Sequence, residues 1–449
     1  MRACVCALPH WEHFVLSKHN RRGASSCVDP DFAEALEGDA DKKDSARRRA
    51  EHKARQLCRQ VQRALNLALA ERGSDPGLEQ LYVVDVTSGL GCGHLFVHFV
   101  APEGRSLPEV LASLRREGPR LRAKVGTTQL IYPQAVGGDI GCGILAVPFD
   151  VAATRLSDPA VAGQVLAKLS RAVPARRWNR KAIIDPPCDI ANSALSHPQL
   201  DAVWRRQGAL EFATLGSGNH FVELQADSEG GLWLMVHSGS RVMGPTIRDH
   251  HLSQAEVMGS GLRALDANSA AGRAYLHDAA WARSYAAANR QQIAVNIGAI
   301  MAATLNATLQ WQHAITTDHN HVGSELHGGK SLWVHRKGAM SAAAEQWGAL
   351  PGSMGTVSFH VQGRGCAQAL CSSAHGAGRL MSRTAARHSV STRELQKQMA
   401  GIWYDYRHAD ELRDEAPSAY KDIRAVARAQ RELVKIMRVL RPVLNYKGV

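Results

Sequence analysis

Four of the seven residues in GGDIGCG (137–143) are glycine, and between them stand Asp139 and Cys142. Glycine has no Cβ to keep neighbouring backbone away, so this loop can close tightly around something small. A carboxylate and a thiol three residues apart make a metal ion or a phosphate the natural guest. The rest of the chain must bring partners to this loop.

Four more islands supply them: GSGNHFVEL (216–224), HSGSR (237–241), DHNHV (318–322) and SSAHGAGRLMSR (372–383). Each sets Asp, His or Arg beside glycine or asparagine, as a site built on loops at strand ends would. One histidine next to a glycine is usually an ordinary loop or core residue; five such islands after Gly126 form a pattern. A thiolate, a carboxylate and several neutral imidazoles suit a divalent transition metal, and a thiolate can bridge two ions. This mixture excludes an all-oxygen magnesium or calcium cage, and on ligand types alone zinc is the first expectation. The glycines and Asn219 add donors suited to phosphate oxygens, whose charge Arg241, Arg379 and Lys337 could neutralise.

The chain has 449 residues, enough for about three domains or for one large catalytic unit with an appendage. Lys and Arg number 54 against 41 Asp and Glu, a formal net charge of +13 that favours a polyanionic partner such as nucleic acid. Nine cysteines without regular spacing do not form a secreted disulfide framework, so reduced thiols in the cytoplasm are expected. His10, Glu12 and His13 interrupt the first apolar run, which makes a poor signal peptide. No apolar run approaches the roughly 18 residues of a membrane span, and no membrane partner is expected.

Residues 1–50 are expected to form a basic, flexible N-terminal arm, ending in DKKDSARRRAEHKAR. From Arg55, Leu57, Val61, Leu65 and Ala68 recur at helical spacing, and LYVVDV (81–86) and LFVHFV (95–100) have the pattern of strands. A second helix starts near Leu107 and is interrupted at Gly118-Pro119, so 51–124 reads as a small α+β module. Its element order, with ARQLCRQVQRALNLALAER, DPGLEQLYVVDV and the REG kink at 116–118, resembles the ribosome-binding factor A (RbfA) family. The resemblance implies a KH-like fold and a small-ribosomal-subunit partner. Arg116 replaces the usual alanine of the kink, and the segment after Gly118 is short for a full second helix.

The islands, together with HRKGAMSA (335–342), LPGSMGTVSFHV (350–361), SAYKD (418–422) and YKG (446–448), resemble the RtcB family of GTP-dependent RNA ligases from about Gly126 onward. The resemblance implies an RtcB-like catalytic domain of layered sheets and helices over 125–449, giving an α+β chain. It implies ligation of RNA 2',3'-cyclic phosphate or 3'-phosphate ends to 5'-hydroxyl ends, with GTP and two Mn²⁺ ions. By the same resemblance Asp139, Cys142, His220, His237 and His319 are metal ligands, Cys142 being the bridge, and His375 is the nucleophile that becomes guanylylated. Asn219, Glu223, Asn320, Ser353, Gly376, Ala377, Gly378, Arg379, Tyr420 and Lys447 fall where the family handles the guanylate; Lys337, Arg241 and Arg379 are phosphate contacts.

One departure lies upstream, where the family carries a PDxHxGxG-type segment and this chain has only GTTQLIYPQAV before the loop. It supports a rival reading, a non-catalytic or partially active RNA- or ribosome-binding protein. Two look-alike motifs carry less. HGGKSLWV (327–334) is one place out of register for a P-loop and is expected to be a turn before a strand; HNH (319–321) is expected to hold a ligand and a neighbouring histidine. His250, His251, His313, His360 and His388 are expected to be structural. Near the end, Ile423, Val426, Leu433, Met437 and Leu440 predict one amphipathic helix running to Pro442.

Overall fold

The structure, a computed structural model, describes residues 2–7, 82–88, 95–100, 124–177, 183–257 and 263–448. The chain divides into two compact units, Met1–Leu121 and Arg122–Val449. In the first, Leu95–Val100 pairs antiparallel with both Tyr82–Ser88 and Arg2–Ala7. The two strands expected at 81–86 and 95–100 are present. Arg2–Ala7, expected within the arm, is instead a strand of the same sheet. The helices expected around 55–72 and 107–124, and the remainder of the arm, lie outside the described residues.

The second unit is organised by a seven-stranded antiparallel sheet of β1 (Gly143–Ala152), β2 (Phe221–Ala226), β3 (Gly231–Ser238), β4 (Ile315–Asp318), β5 (Trp347–Leu350), β6 (Ser358–Gly363) and β7 (Val434–Tyr446). The spatial order is β4-β1-β3-β2-β7-β6-β5, and the edge strands β4 and β5 come near each other, curling the sheet almost into a barrel. Alternation separates two faces, as the two-residue period of a strand requires. Leu145, Val147, Val222, Leu224, Leu234 and Val236 face the helices; Ile144, Ala146, Trp233, Met235, Ile315 and Leu440 fill the concave side.

The helical layer consists of α1 (Pro159–Ala172), α2 (Met243–Gln254) and α3 (Ala270–Leu305). Ser269 caps α3 by accepting the Gly272 N–H at 2.9 Å, and Asn306 ends it in a left-handed conformation. At 36 residues α3 is about 54 Å long, enough to cross two apolar clusters. Tyr275, Ala279, Ala282 and Tyr285 pack in one; Ile293, Ile297, Met301 and Leu305 pack against the sheet in the other. Between them the buried face turns polar at Asn289 and Arg290. That break marks where the helix passes behind the functional loops.

The amphipathic helix expected to reach Pro442 is corrected. Only Ile423–Ala429 is helical, and Val434–Tyr446 is a strand paired with β6 and β2, with an irregularity between Pro442 and Leu444 that accommodates the proline. Pairing on both sides makes the segment a central strand that joins two parts of the sheet, a tertiary constraint that overrides its local spacing. The region around the look-alike P-loop is a hairpin: Gly328 and Gly329, both at positive φ, join Asn320–His327 to Lys330–Lys337. No helix among the described residues is long and apolar enough to cross a membrane.

Candidate metal and nucleotide site

Antiparallel pairing brings the starts of β1 and β2 to the same end of the sheet as the ends of β3, β4 and β7. Gly143 is paired with both Ser238 and Asp318, Phe221 with His237, and Tyr446 with Val222. Cys142, His220, His237, His319 and Lys447 are therefore gathered at one rim from segments distant in sequence. The Gly141 turn, at φ +75°, lies so close to α3 that a Cβ would stand 2.8 Å from the Arg283 backbone. Arg290 pins the loops from behind, donating to Gly141 O at 2.8 Å and Ser238 O at 3.0 Å; Asn289 donates to Ser238 Oγ at 3.0 Å.

Two donor groups share Cys142: one with His237 and His319, the other with Asp139 and His220, the atoms of each group lying within 4.8 Å of one another. Cys142 Sγ is 3.2 Å from His237 Nε2 and 3.5 Å from His220 Nε2. His220 and His237 direct Nδ1 to the carbonyls of Leu215 and Asn219, at 2.9 and 3.0 Å, which fixes Nδ1 as the N–H and leaves a lone pair on Nε2. His220 Nε2 then faces Asp139 Oδ2 at 2.9 Å, lone pair against carboxylate, unless a cation lies between them. His237 Nε2 faces His319 Nε2 at 3.3 Å, and His319 Nδ1 is buried with no hydrogen-bond partner, so whichever nitrogen of His319 carries the proton, a buried ring nitrogen is left unsatisfied. These unsatisfied acceptors fit divalent metal ions, with the Cys142 sulfur able to touch two.

The electrostatics agree with that donor set. Burial pushes the pKa values of His237 and His319 well below the usual histidine range, with neighbouring imidazoles adding to the shift, so both rings are neutral ligands. Burial works against ionisation of Asp139; with a proton on His220 Nε2 the hydrogen bond and charge of that ring outweigh burial and hold the carboxyl at about 2, and with the ring neutral a bound cation takes that part. Burial and the Asp139 charge raise the Cys142 thiol; a bound cation reverses that balance.

His375 follows the short strand Ser372–Ala374. Its ring centroid is 4.3 Å from that of His319, and Nδ1 lies 2.6 Å from Gly338 O, which makes Nδ1 the donor and leaves Nε2 nucleophilic. Beside it opens a cavity of about 270 Å³ that also exposes Asn219, Glu223, Ser353, Gly376, Ala377, Gly378, Arg379, Tyr420 and Lys447. Asn320 is the exception among the expected nucleotide residues. Its amide donates to Asp139 O and accepts from Gly338 N, each at 3.0 Å, bracing the metal loop to the His375 loop. Arg241 and Lys337 also lie outside the cavity lining: Arg241 reaches Thr214 Oγ1 at 3.3 Å, and the Lys337 stem runs beside Gly137.

The cavity contains groups that the sequence reading did not single out. Glu415 accepts from Lys447 Nζ at 2.5 Å, Tyr420 OH at 2.7 Å and Arg379 Nη1 at 3.1 Å, while Arg383 reaches both Asp414 and Glu415. The acidic pair sits in DELRDEA, which has the pattern of a solvated turn, and only the unusual density of cations around it could have flagged it. Glu223 is buried, and its oxygens accept from Gln225 at 2.5 Å and Asn445 at 2.6 Å. Burial nevertheless dominates and raises its pKa to about 7.

The histidines expected to be structural lie outside both donor groups. His251 is buried against Asp278 at 2.7 Å, His360 is buried beside Trp233, His250 is half-buried against His197, and His313 and His388 are exposed. In HNH, His321 Nδ1 faces Asp318 Oδ1 at 3.0 Å and Nε2 accepts from Arg336 at 3.1 Å, beside the ligand candidate His319.

A family model described as tRNA-splicing ligase RtcB matches residues 188–448. The RNA-splicing ligase RtcB of Escherichia coli is 34% identical over 361 residues, covering 74% of this chain and 87% of the relative. The RNA-splicing ligase RtcB of Mycobacterium tuberculosis is 31% identical over 269 residues, covering 51% and 62%. The tRNA-splicing ligase RtcB of Pyrobaculum aerophilum is 30% identical over 295 residues, covering 54% and 61%. With the family match extending over more than half its length and the Escherichia coli relative covered nearly throughout, the chain belongs to the RtcB family.

Proposed function

We propose that this RNA ligase joins RNA 3'-phosphate or 2',3'-cyclic phosphate ends to 5'-hydroxyl ends, using GTP and manganese, through a guanylylated His375. The observation that carries the reading is the oriented His375 ring, packed on His319 and opening into the cavity that contains Glu223 and Lys447. A role in binding alone requires no such nucleophile.

Asp139, Cys142, His220, His237 and His319 would hold two Mn²⁺ ions, whose chemistry there would be to withdraw charge from the phosphorus under attack. His375 Nε2 attacks the α-phosphorus of GTP; an N–P bond forms, the α–β bridging P–O bond breaks and pyrophosphate leaves. Gly338 O holds the Nδ1 proton and so keeps the attacking nitrogen in the required tautomer. The RNA 3'-phosphate then takes the guanylyl group and frees His375. Attack by the 5'-hydroxyl on the activated phosphate expels GMP and seals the strand.

Glu223 accepts from guanine N–H groups, and Arg379 and Lys447 exchange carboxylate partners for nucleotide groups. The cytoplasm is the proposed compartment. We also propose that the 51–124 module, RbfA-like in sequence, directs the ligase to the small ribosomal subunit.

The deciding experiment incubates the full chain with Mn²⁺ and α-phosphorus-labelled GTP. Label should remain on the denatured wild type and be absent from His375→Ala. Equal labelling of both would remove His375 from the role, and its absence from both with manganese bound would favour the binding-protein reading.

A further inference from the structure

We propose that a groove on the α3 side of the metal centre holds the sugar-phosphate backbone of the RNA being joined, with Arg283 as its phosphate contact. The inference rests on the RNA-joining reading above and adds a subsite to it. The groove encloses about 450 Å³ between α3 and edge strand β4 and shares no lining residue with the nucleotide cavity. Its rim carries Arg283 and Ser284 from α3, Thr316 from β4, and Ser341 and Gln346 from the chain leading into β5.

The charge placement identifies the ligand class. Arg283 Nε is fixed to Asp318 Oδ2 at 2.6 Å, yet its side chain remains 41% exposed. Asp318 Oδ1 also faces His321 Nδ1 at 3.0 Å, so one carboxylate serves both the guanidinium and a histidine. Deeper in the groove, Arg290 is 2% exposed and its Nε has no hydrogen-bond partner. A buried guanidinium N–H left unsatisfied at the wall of a cavity calls for an acceptor.

The remaining rim groups are two serines, a threonine and an amide, which suit ribose hydroxyls and phosphate oxygens. No aromatic residue lines the groove, so it lacks the stacking platform through which single-stranded bases are held. This favours sequence-independent reading of backbone and 2'-hydroxyl. The location fits a strand approaching the joint: Asp318 immediately precedes His319, and its β-partner Gly143 immediately follows Cys142. A backbone held by Arg283 therefore lies one residue along the chain from two metal-ligand candidates.

The test measures binding of a 5'-hydroxyl RNA oligonucleotide, and of the same DNA sequence, to the full chain over a salt series. Wild type is compared with Arg283→Ala, Ser284→Glu and Gln346→Glu, and each form is scored for GTP-derived label. Arg283→Ala should weaken RNA binding about five- to tenfold and reduce the salt slope by about 0.7, the contribution of one phosphate contact on a single strand. The two glutamate variants should weaken RNA binding while labelling stays at the wild-type level. Wild type should prefer RNA to DNA, and Ser284→Glu should narrow the preference.

Unchanged RNA affinity and slope in Ser284→Glu and Gln346→Glu would overturn the proposal, whatever Arg283→Ala does to the neighbouring centre. Displacement of the wild-type difference by millimolar inorganic phosphate or pyrophosphate alone would also overturn it, by making the groove a small-anion site. Absence of label from every form would defeat the guanylylation reading while leaving the RNA comparison interpretable.

Discussion

At the scale of single residues, the site is defined by acceptors facing acceptors. Asp139 stands against the Nε2 lone pair of His220 at 2.9 Å, and His237 meets His319 at 3.3 Å with the far nitrogen of His319 unpartnered, arrangements that cations relieve. Removing the shared sulfur with Cys142→Ala should weaken manganese binding by more than roughly 100-fold, beyond what loss of a supporting hydrogen bond costs. Metal content after gel filtration checks this. Glu223 gives a pH prediction with a definite sign. Its folded pKa of about 7 exceeds the ordinary 4.5, so the folded state binds the proton more tightly. Its contribution therefore favours folding at low pH and falls away between about 4.5 and 7, by a few kcal/mol at most, about 1.4 for each unit. Glu223→Gln should flatten that part of the urea-unfolding profile. If the ionised carboxylate accepts from guanine, GTP affinity should rise as pH passes through 7 in wild type and stay level in the variant. The reactive residue types were legible because Asp, Cys and His beside glycine are conspicuous. Glu415 and Arg290 were hidden: one lies in an ordinary acidic turn, and the other on a helix whose neighbours in sequence do not reveal what it crosses.

At the scale of elements, β7 shows why local pattern failed near the C-terminus. Val426, Leu433, Met437 and Leu440 satisfy a helical spacing, but the second half of the segment completes hydrogen bonding between β2 and β6. Tertiary pairing of this kind overrides a periodicity read from one segment alone. The strand also carries Leu444 into the apolar layer beneath α1 and α3, where it is fully buried, and then delivers Lys447 to the nucleotide cavity. Leu444→Ala should cost about 2–5 kcal/mol in urea unfolding. It should also reduce GTP labelling, because the same strand positions the cavity wall. The turn at Gly328-Gly329 and the strand after it were legible in advance, since the turn chemistry is contained within four residues; the strand before it was not. The sheet order was not, because it joins segments as far apart in sequence as Val222 and Tyr446.

At the scale of the whole molecule, every residue assigned to guanylylation lies between Asp139 and Lys447, within the second compact unit. A chain of residues 122–449 should therefore take up GTP-derived label as readily as the full chain, provided its circular dichroism and unfolding midpoint show that it folds. Strand joining poses a separate question, because by resemblance an upstream segment usual in the family is expected to be missing, with only GTTQLIYPQAV leading into the loop. Through Lys124–Thr127 that stretch forms the outer wall of a three-stranded sheet whose other strands, Asn320–His327 and Lys330–Lys337, follow His319. If this wall and the Arg283 groove suffice to hold the 5'-hydroxyl strand, the shortened chain should seal defined RNA ends as well as accept label. Label without sealing in both forms would assign the chain partial chemistry. The first unit then has a role that can be measured independently of catalysis: co-sedimentation with small ribosomal subunits should be strong for the full chain and lost for 122–449. Equal co-sedimentation of the two would remove the ribosome from the account and leave the net charge of +13 to general attraction for RNA.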